Sequence, residues 1–98
     1  MFKKSLQDNS KWILYEGSFE RDKRKGFGEV KWSNGSEYKG YFDNDERCGK
    51  GEMRWYDGTV YIGEWVMGKQ QGWGSLKLPN GEIKTGYFVN NTYQGTDM

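Results

Sequence analysis

The side chains that could do chemistry in this chain are few, and they lack the partners that catalysis needs. Cys48 is the sole cysteine, and the 98 residues contain no histidine to activate its thiol or act as a general base. The acidic run at residues 43–46 offers oxygen ligands for calcium. However, Cys48 and Arg54 stand where a calcium loop needs its glycine and its final acid. We therefore expect no enzyme and no metal site.

Gly-x-Gly pairs, of which Gly26-Phe27-Gly28 is the first, are the other motif to test. They lack the third glycine of a dinucleotide-binding motif. They also lie in strand patterns, whereas that motif opens a helix. We therefore expect no cofactor.

Glycines and aromatic residues instead recur every 23 residues. The glycine series are Gly17, Gly40, Gly63 and Gly86; Gly26, Gly49, Gly72 and Gly95; and Gly35, Gly58 and Gly81. The aromatic series are Tyr15, Tyr38 and Tyr61; Phe19, Phe42, Trp65 and Phe88; and Trp32 and Trp55. Self-similarity at this period is typical of a repeat array, in which each unit buries its apolar face against its neighbours.

Each repeat has the pattern of a β-hairpin. Residues 15–20 and 26–32 alternate with period two, which predicts two strands, and residues 21–25 between them predict a polar loop. A turn follows at residues 33–35, 56–58 and 79–81. Pro79 favours the first corner of a type I turn, and Gly81 suits the left-handed position after it, so we predict a three-residue hairpin loop.

That loop sets a register with favourable cross-strand pairs. The pairs are Glu29 with Lys39, Lys31 with Glu37, Lys50 with Glu64, Phe27 with Tyr41, and Trp73 with Tyr87. The register also places Gly28 opposite Gly40. We expect large rings to lie over such glycines in their own and the neighbouring repeat, because a glycine weakens a strand unless a side chain covers it.

The sheet then has two faces with different roles. The ring face carries Tyr38, Phe42 and Trp32, which cover the glycines. The outer face should be polar if it is only solvated, yet it carries a set of apolar residues. They are our candidate partner-binding residues: Phe27, Tyr41, Ile62, Val66, Trp73 and Tyr87. The ring face is the competing binding site, since a single-layer sheet leaves it partly open.

The predicted fold is all-β, an elongated single-layer antiparallel meander of successive hairpins. Residues 1–14 form an N-terminal cap or extension. The array spans residues 15–98, with complete repeats at 15–37, 38–60 and 61–83 and a partial repeat at 84–98 whose second strand is truncated. We expect both sheet edges to be incompletely protected.

Composition narrows the location and the partners. A net charge of +1 gives no field that would attract nucleic acid. A lone cysteine forms no internal disulfide, and no apolar run approaches the roughly 20 residues that span a bilayer. Residues 2–6 lack the apolar core of a signal peptide. We therefore expect a cytoplasmic protein.

The first polar loop is basic and is a weak candidate for contact with anionic lipid. Its four cations are Arg21, Lys23, Arg24 and Lys25. Each cation contributes about 1 kcal/mol at an anionic surface. Asp22 lies among them, so a solvated loop is the alternative.

The 23-residue pattern of glycines and aromatic residues resembles the MORN repeat (membrane occupation and recognition nexus). The resemblance rests on Tyr-x-Gly-x-Phe/Trp, then Gly-x-Gly, then Asn/Asp-Gly, and it covers residues 15–95. Residues 38–42 and 61–65 match the first element well. The histidine common before the second glycine of the family is replaced here by other residues.

The resemblance implies an elongated, twisted sheet of hairpins and a role in binding and positioning. It points to a non-catalytic scaffold module that docks in a larger cytoskeletal assembly, foremost a ciliary or flagellar axoneme. Two alternatives remain: a peripheral membrane or phosphoinositide-binding module, and the regulatory segment of an enzyme whose catalytic domain is absent here. The expected partners are proteins of a multi-subunit assembly.

Overall fold

A computed structural model describes residues 2–6 and 12–96, with side chains described from residue 13. These residues form a single antiparallel sheet whose strands follow in chain order, and they contain no helix. The strands are β1 (Phe2–Leu6), β2 (Trp12–Glu20), β3 (Lys23–Trp32), β4 (Glu37–Asp43), β5 (Glu46–Arg54), β6 (Val60–Val66), β7 (Lys69–Lys77), β8 (Ile83–Val89) and β9 (Thr92–Gly95). The predicted all-β meander of successive hairpins is confirmed.

The three-residue hairpin loops are present where they were predicted. The amide of Trp32 donates to the carbonyl oxygen of Ser36 at 2.9 Å, and the amide of Gly35 donates to that of Trp32 at 3.0 Å. Gly35 has a φ of 100°, a left-handed conformation that only glycine adopts readily. The same bonds recur around residues 56–58 and 79–81.

The other connection is shorter than the sequence led us to expect. Residues 21–25 are not a five-residue loop, because β3 begins at Lys23 and only Arg21 and Asp22 form the turn. Their φ angles of 53° and 66° are those of a type I′ turn, whose twist matches the twist of the paired strands. The two equivalent connections are also two-residue turns, at 44–45 and 67–68, because strand pairing continues to the residues that flank them.

The predicted register is confirmed, and it aligns seven glycines across the sheet. Gly28 lies opposite Gly40, and Gly51 lies opposite Gly63. The remaining pairings join these glycines into one row, which we call the glycine row: Gly17, Gly28, Gly40, Gly51, Gly63, Gly74 and Gly86.

One tyrosine per complete repeat fills the space above the glycine row. A Cβ atom on Gly40 would lie 2.5 Å from the hydroxyl oxygen of Tyr38 and 2.6 Å from the Cα of Gly51. Tyr15 and Tyr61 cover two glycines of their own repeats in the same way. Each tyrosine spans the hairpin of its own repeat, and Trp65 of the third repeat reaches Gly51 of the second, where its indole Nε1 donates to the glycine's carbonyl oxygen at 3.2 Å.

Neighbouring repeats also contact each other through edge-to-face rings. The ring centroids are 5.5 Å apart for Tyr15 with Phe42 and 5.6 Å apart for Tyr38 with Trp65. Such pairs contribute about 0.5–1.5 kcal/mol beyond the area they bury. Tyr38 is fully buried, so the twisted single layer encloses its own core on the ring face.

The two ends of the array depart from the repeat. At the N-terminal end β1 pairs with part of the β2 edge, and Lys3 lies opposite Tyr15. In the next repeat Val30 lies opposite Tyr38, so the 23-residue spacing would instead place residue 7 opposite Tyr15. At the other end β9 has four residues. The ring centroids of Tyr93 and Phe88 are 5.3 Å apart, and Tyr93 also lies against Gly86. Tyr93 thus takes the place of the tyrosine that the fourth repeat lacks at its start.

Candidate interaction surface

The outer face exposes two aromatic pairs that lie on opposite sides of two central strands. Phe27 and Tyr41 meet edge to face with centroids 5.6 Å apart, and they are 53% and 50% exposed. Trp73 and Tyr87 meet in the same geometry at 4.9 Å, with Trp73 45% exposed. The structure thus brings four of the six predicted partner-binding residues together as two pairs.

A charged pair lies between the aromatic pairs. Lys50 on β5 is opposite Glu64 on β6, and both side chains are exposed. Each of these six residues is the chain neighbour of a glycine of the glycine row, on the same side of that row. We call this set the central row: Phe27, Tyr41, Lys50, Glu64, Trp73 and Tyr87.

A groove of about 370 Å³ runs beside the central row from Phe27 to Trp73. Its floor is the bare backbone of the glycine row, and Ile62, which is 54% exposed, stands on its opposite wall. The fifth predicted residue therefore lines the same groove. A concave, largely apolar strip with a few charged groups is suited to recognition of another molecule.

Val66, the sixth predicted residue, lies outside this groove. It is 50% exposed beside Met67 in a separate depression at the edge formed by the two-residue turns. Sequence reasoning missed Met67, which is 71% exposed at a φ of 49°. The signal was available, since an apolar residue in a turn position normally held by Asn or Gly is unusual.

The family comparison agrees with this architecture. The family model for the MORN repeat matches residues 15–37, 38–60 and 61–83. The chain belongs to the MORN repeat family. MORN repeats generally serve as modules for protein or membrane interaction, and their family is a non-enzymatic one. No curated protein matches the chain.

The ring face of this MORN array, our competing site, is more closed than the sequence implied. The guanidinium of Arg24 lies 4.8 Å from the Phe42 ring centroid, and that of Arg47 lies 4.5 Å from the Trp65 centroid. Cation–π contact of this kind covers the rings with long side chains. Burial lowers the pKa of Arg47, consistent with a guanidinium enclosed by rings.

Gln70 and Tyr93 occupy the positions that follow Arg24 and Arg47 at the 23-residue spacing. Gln70 is 6% exposed, and its backbone N–H donates to Asn91 Oδ1 at 2.8 Å. The amide of Arg24 donates to Asp45 Oδ1 at 3.1 Å in the same manner. The turns at residues 44–45, 67–68 and 90–91 thus dock on the preceding repeat at this position.

Within the described part of the chain, two of the four basic candidates for lipid contact form ion pairs with acidic residues at the turn of the next repeat, and two do not. Arg24 pairs with Asp45 at 2.6 Å, and Lys25 pairs with Asp43 at 2.6 Å. Burial raises the pKa of Asp45, but the hydrogen bonds and charge of Arg24 outweigh it, so that pKa lies below its usual value. The remaining candidates, Arg21 and Lys23, are exposed at the turn.

Cys48 and the acidic side chains are the candidate reactive groups among the described residues. Burial, followed by the charge of Asp43, raises the pKa of the Cys48 thiol and disfavours its nucleophilic form. Among the residues that the structure describes, no group of three or more His, Cys, Asp or Glu side chains is placed to hold a metal ion. Within residues 2–6 and 12–96, no helix is long and apolar enough to cross a lipid bilayer.

Proposed function

We propose that this MORN array is a non-catalytic interaction module that binds another protein through its outer face. The observation that carries the proposal is the pair of exposed aromatic clusters at the two ends of one groove. Aromatic residues are enriched at the centres of protein interfaces, where they form most of the strong contacts.

The exposed rings lie outside the buried core, although each pair also joins two neighbouring repeats. Contacts between repeats on the ring face involve buried side chains such as Tyr38 and Tyr61, which are 0% exposed. Trp73 and Phe27 lie on the other side of the sheet, and about half of each side chain remains in water. Leaving that much aromatic surface in water costs free energy, which binding to a partner would recover.

We further propose that the protein acts in the cytoplasm, where it docks in a larger cytoskeletal assembly such as a ciliary or flagellar axoneme. The location is supported by analogy with the family and by the lone cysteine, which suits a reducing compartment. A non-catalytic role is supported by the lack of any histidine in the chain and by the raised pKa of Cys48.

The test of partner binding is the double variant Trp73→Ser with Tyr87→Ser. Capture of the partner from a native extract should weaken by at least about 2 kcal/mol, the scale of an interface hot spot. The matched control is Tyr56→Ser, which removes a ring that is 71% exposed but lies at a loop outside the groove. Capture by the control should equal that of the wild type.

A thermal melt of each variant separates binding from folding. The double variant should lower the melting temperature only modestly, since it removes one exposed ring pair and leaves the buried core intact. Unchanged capture with a much lower melting temperature would mean that the pair is structural, and it would move the site to the ring face. Cross-linking mass spectrometry on the captured complexes then tests the assembly, and partners confined to other compartments would contradict the proposed location.

A further inference from the structure

The central row alternates between apolar and charged groups along the sheet. The aromatic pair Phe27–Tyr41 lies on β3 and β4, and the pair Trp73–Tyr87 lies on β7 and β8. Neighbouring strands are about 4.8 Å apart, so the midpoints of the two pairs are about 19 Å apart across the sheet. Lys50 and Glu64 lie at about 7 and 12 Å along the same line, on β5 and β6.

An extended peptide has the same spacing on one of its sides. Its side chains alternate, and the residue rise of about 3.3 Å places i+2, i+4 and i+6 at about 7, 13 and 20 Å from residue i. A segment that crosses the strands along the groove would therefore place one side chain over each aromatic pair. The two side chains between them would fall over Lys50 and over Glu64.

The charges in the groove determine the chemistry of those two side chains. Lys39 lies 4.0 Å from Glu29, and Glu52 is held by Arg54. Among the described residues, the ion pairs within 4.0 Å include neither Lys50 nor Glu64. These two exposed groups are therefore available to a ligand, with opposite signs at adjacent positions.

We propose that the groove binds an extended segment of a partner protein with apolar side chains at i and i+6. Between them, the segment carries one acidic side chain over Lys50 and one basic side chain over Glu64. The order of the two charges along the segment sets the direction in which it runs, because its position depends on side chains and not on strand pairing. This inference rests on the proposed function, because both place the partner on the outer face.

The test uses synthetic nonapeptides that differ only at the two inner positions. The mixed peptide is Thr-Leu-Thr-Asp-Thr-Lys-Thr-Leu-Thr, and its two relatives carry Asp at both inner positions or Lys at both. Threonine favours extended backbone because it is β-branched. A fourth peptide with its leucines four residues apart is the spacing control. Each is titrated into the isotope-labelled 98-residue chain, and amide shifts are followed by NMR.

The mixed peptide should shift amides between Phe27 and Trp73 and bind the wild type about threefold or more tightly than the other three peptides. Two matched variants should change the preference. Lys50→Glu should prefer the peptide with two lysines, and Glu64→Lys should prefer the peptide with two aspartates. A melt of each variant checks that these exposed substitutions leave the fold intact.

Failure of the inference is distinct from failure of the proposed function. Absence of shifts along the groove with every peptide, or binding whose preference ignores the two charge variants, would overturn the inference. The proposed function fails only if the Trp73→Ser, Tyr87→Ser variant captures its partner as well as the wild type does. If the Trp73→Ser, Tyr87→Ser variant loses capture while peptide binding does not depend on the charges of the peptide, the proposed function holds and the proposed charge pattern is wrong.

Discussion

The hydroxyl of Tyr38 donates a hydrogen bond of 3.1 Å to the carbonyl oxygen of Tyr41, three residues further along the chain. The bond points the ring forward along its own strand and holds it across Gly40 and Gly51. The equivalent bonds from Tyr15 to Ser18 and from Tyr61 to Glu64 measure 2.8 and 2.9 Å. A polar group that would be costly to bury unpaired thus positions each ring over the glycine row.

Gly40→Val should strongly destabilise the fold. The new Cβ would overlap the Tyr38 hydroxyl and the Cα of Gly51, and the second contact is with backbone that cannot rotate away. We expect a loss of about 3 kcal/mol or more in the free energy of unfolding, measured by urea denaturation. Lys39→Val, which places the same side chain at the adjacent exposed position, is the control and should change little. An unchanged midpoint for Gly40→Val would contradict our account of the glycines.

Stability should fall at alkaline pH because of the buried tyrosines. Burial raises the pKa of Tyr61 from 10.0 to about 12, so the folded state keeps the proton that the unfolded state loses. The stabilisation is complete below pH 10 and is lost as the pH rises through the folded value. The free energy of unfolding measured from pH 8 to 12 should therefore decrease.

Tyr61→Phe should make that decrease smaller, although it also removes the bond to Glu64 and lowers stability at every pH. Tyr56→Phe, at a ring that is 71% exposed, should behave as the wild type does. A slope for Tyr61→Phe equal to that of the wild type would assign the alkaline transition to other groups.

Met67→Asn should stabilise the protein. Met67 has a φ of 49°, while Asn44 and Asn90 occupy the equivalent turn positions with φ values of 50° and 54°. Asparagine tolerates this left-handed conformation better than methionine, so we expect a gain of about 0.5–1 kcal/mol. The melting temperature is the measurement. Val66→Asn, a neighbouring exposed strand position, should give no gain, and equal gains at both sites would remove the turn as the cause.

Anionic vesicles should not retain the protein at physiological salt. Arg24 and Lys25 are engaged by Asp45 and Asp43, which leaves Arg21 and Lys23 as the exposed cations of the turn. Two exposed charges contribute about 2 kcal/mol at such a surface, which is too little for stable attachment. Sedimentation with vesicles is the measurement. Retention of the wild type that the variant Arg21→Ser with Lys23→Ser loses would favour the membrane-binding alternative.

Local chemistry made much of the fold predictable from the sequence. The 23-residue spacing of glycines and rings predicted the hairpins, and Pro79 with Gly81 identified the loop type. A loop type sets the register, and the register alone placed Phe27 opposite Tyr41 and Gly28 opposite Gly40. These features depend on backbone preferences and nearest-strand contacts, which a sequence displays directly.

Only the tertiary structure decided how the ring face is covered and which exposed groups share a groove. From the sequence, Arg24 belonged to a polar loop, but in the structure it covers the Phe42 ring and binds Asp45. Asp45 lies in the turn of the next repeat, 21 residues further along the chain, so no local pattern shows the contact. The sequence placed Val66 with Ile62 on the outer face, and the structure puts the two in separate depressions. Sheet twist and contacts between repeats determine such placements, and neither is visible in the alternation of residues along one strand.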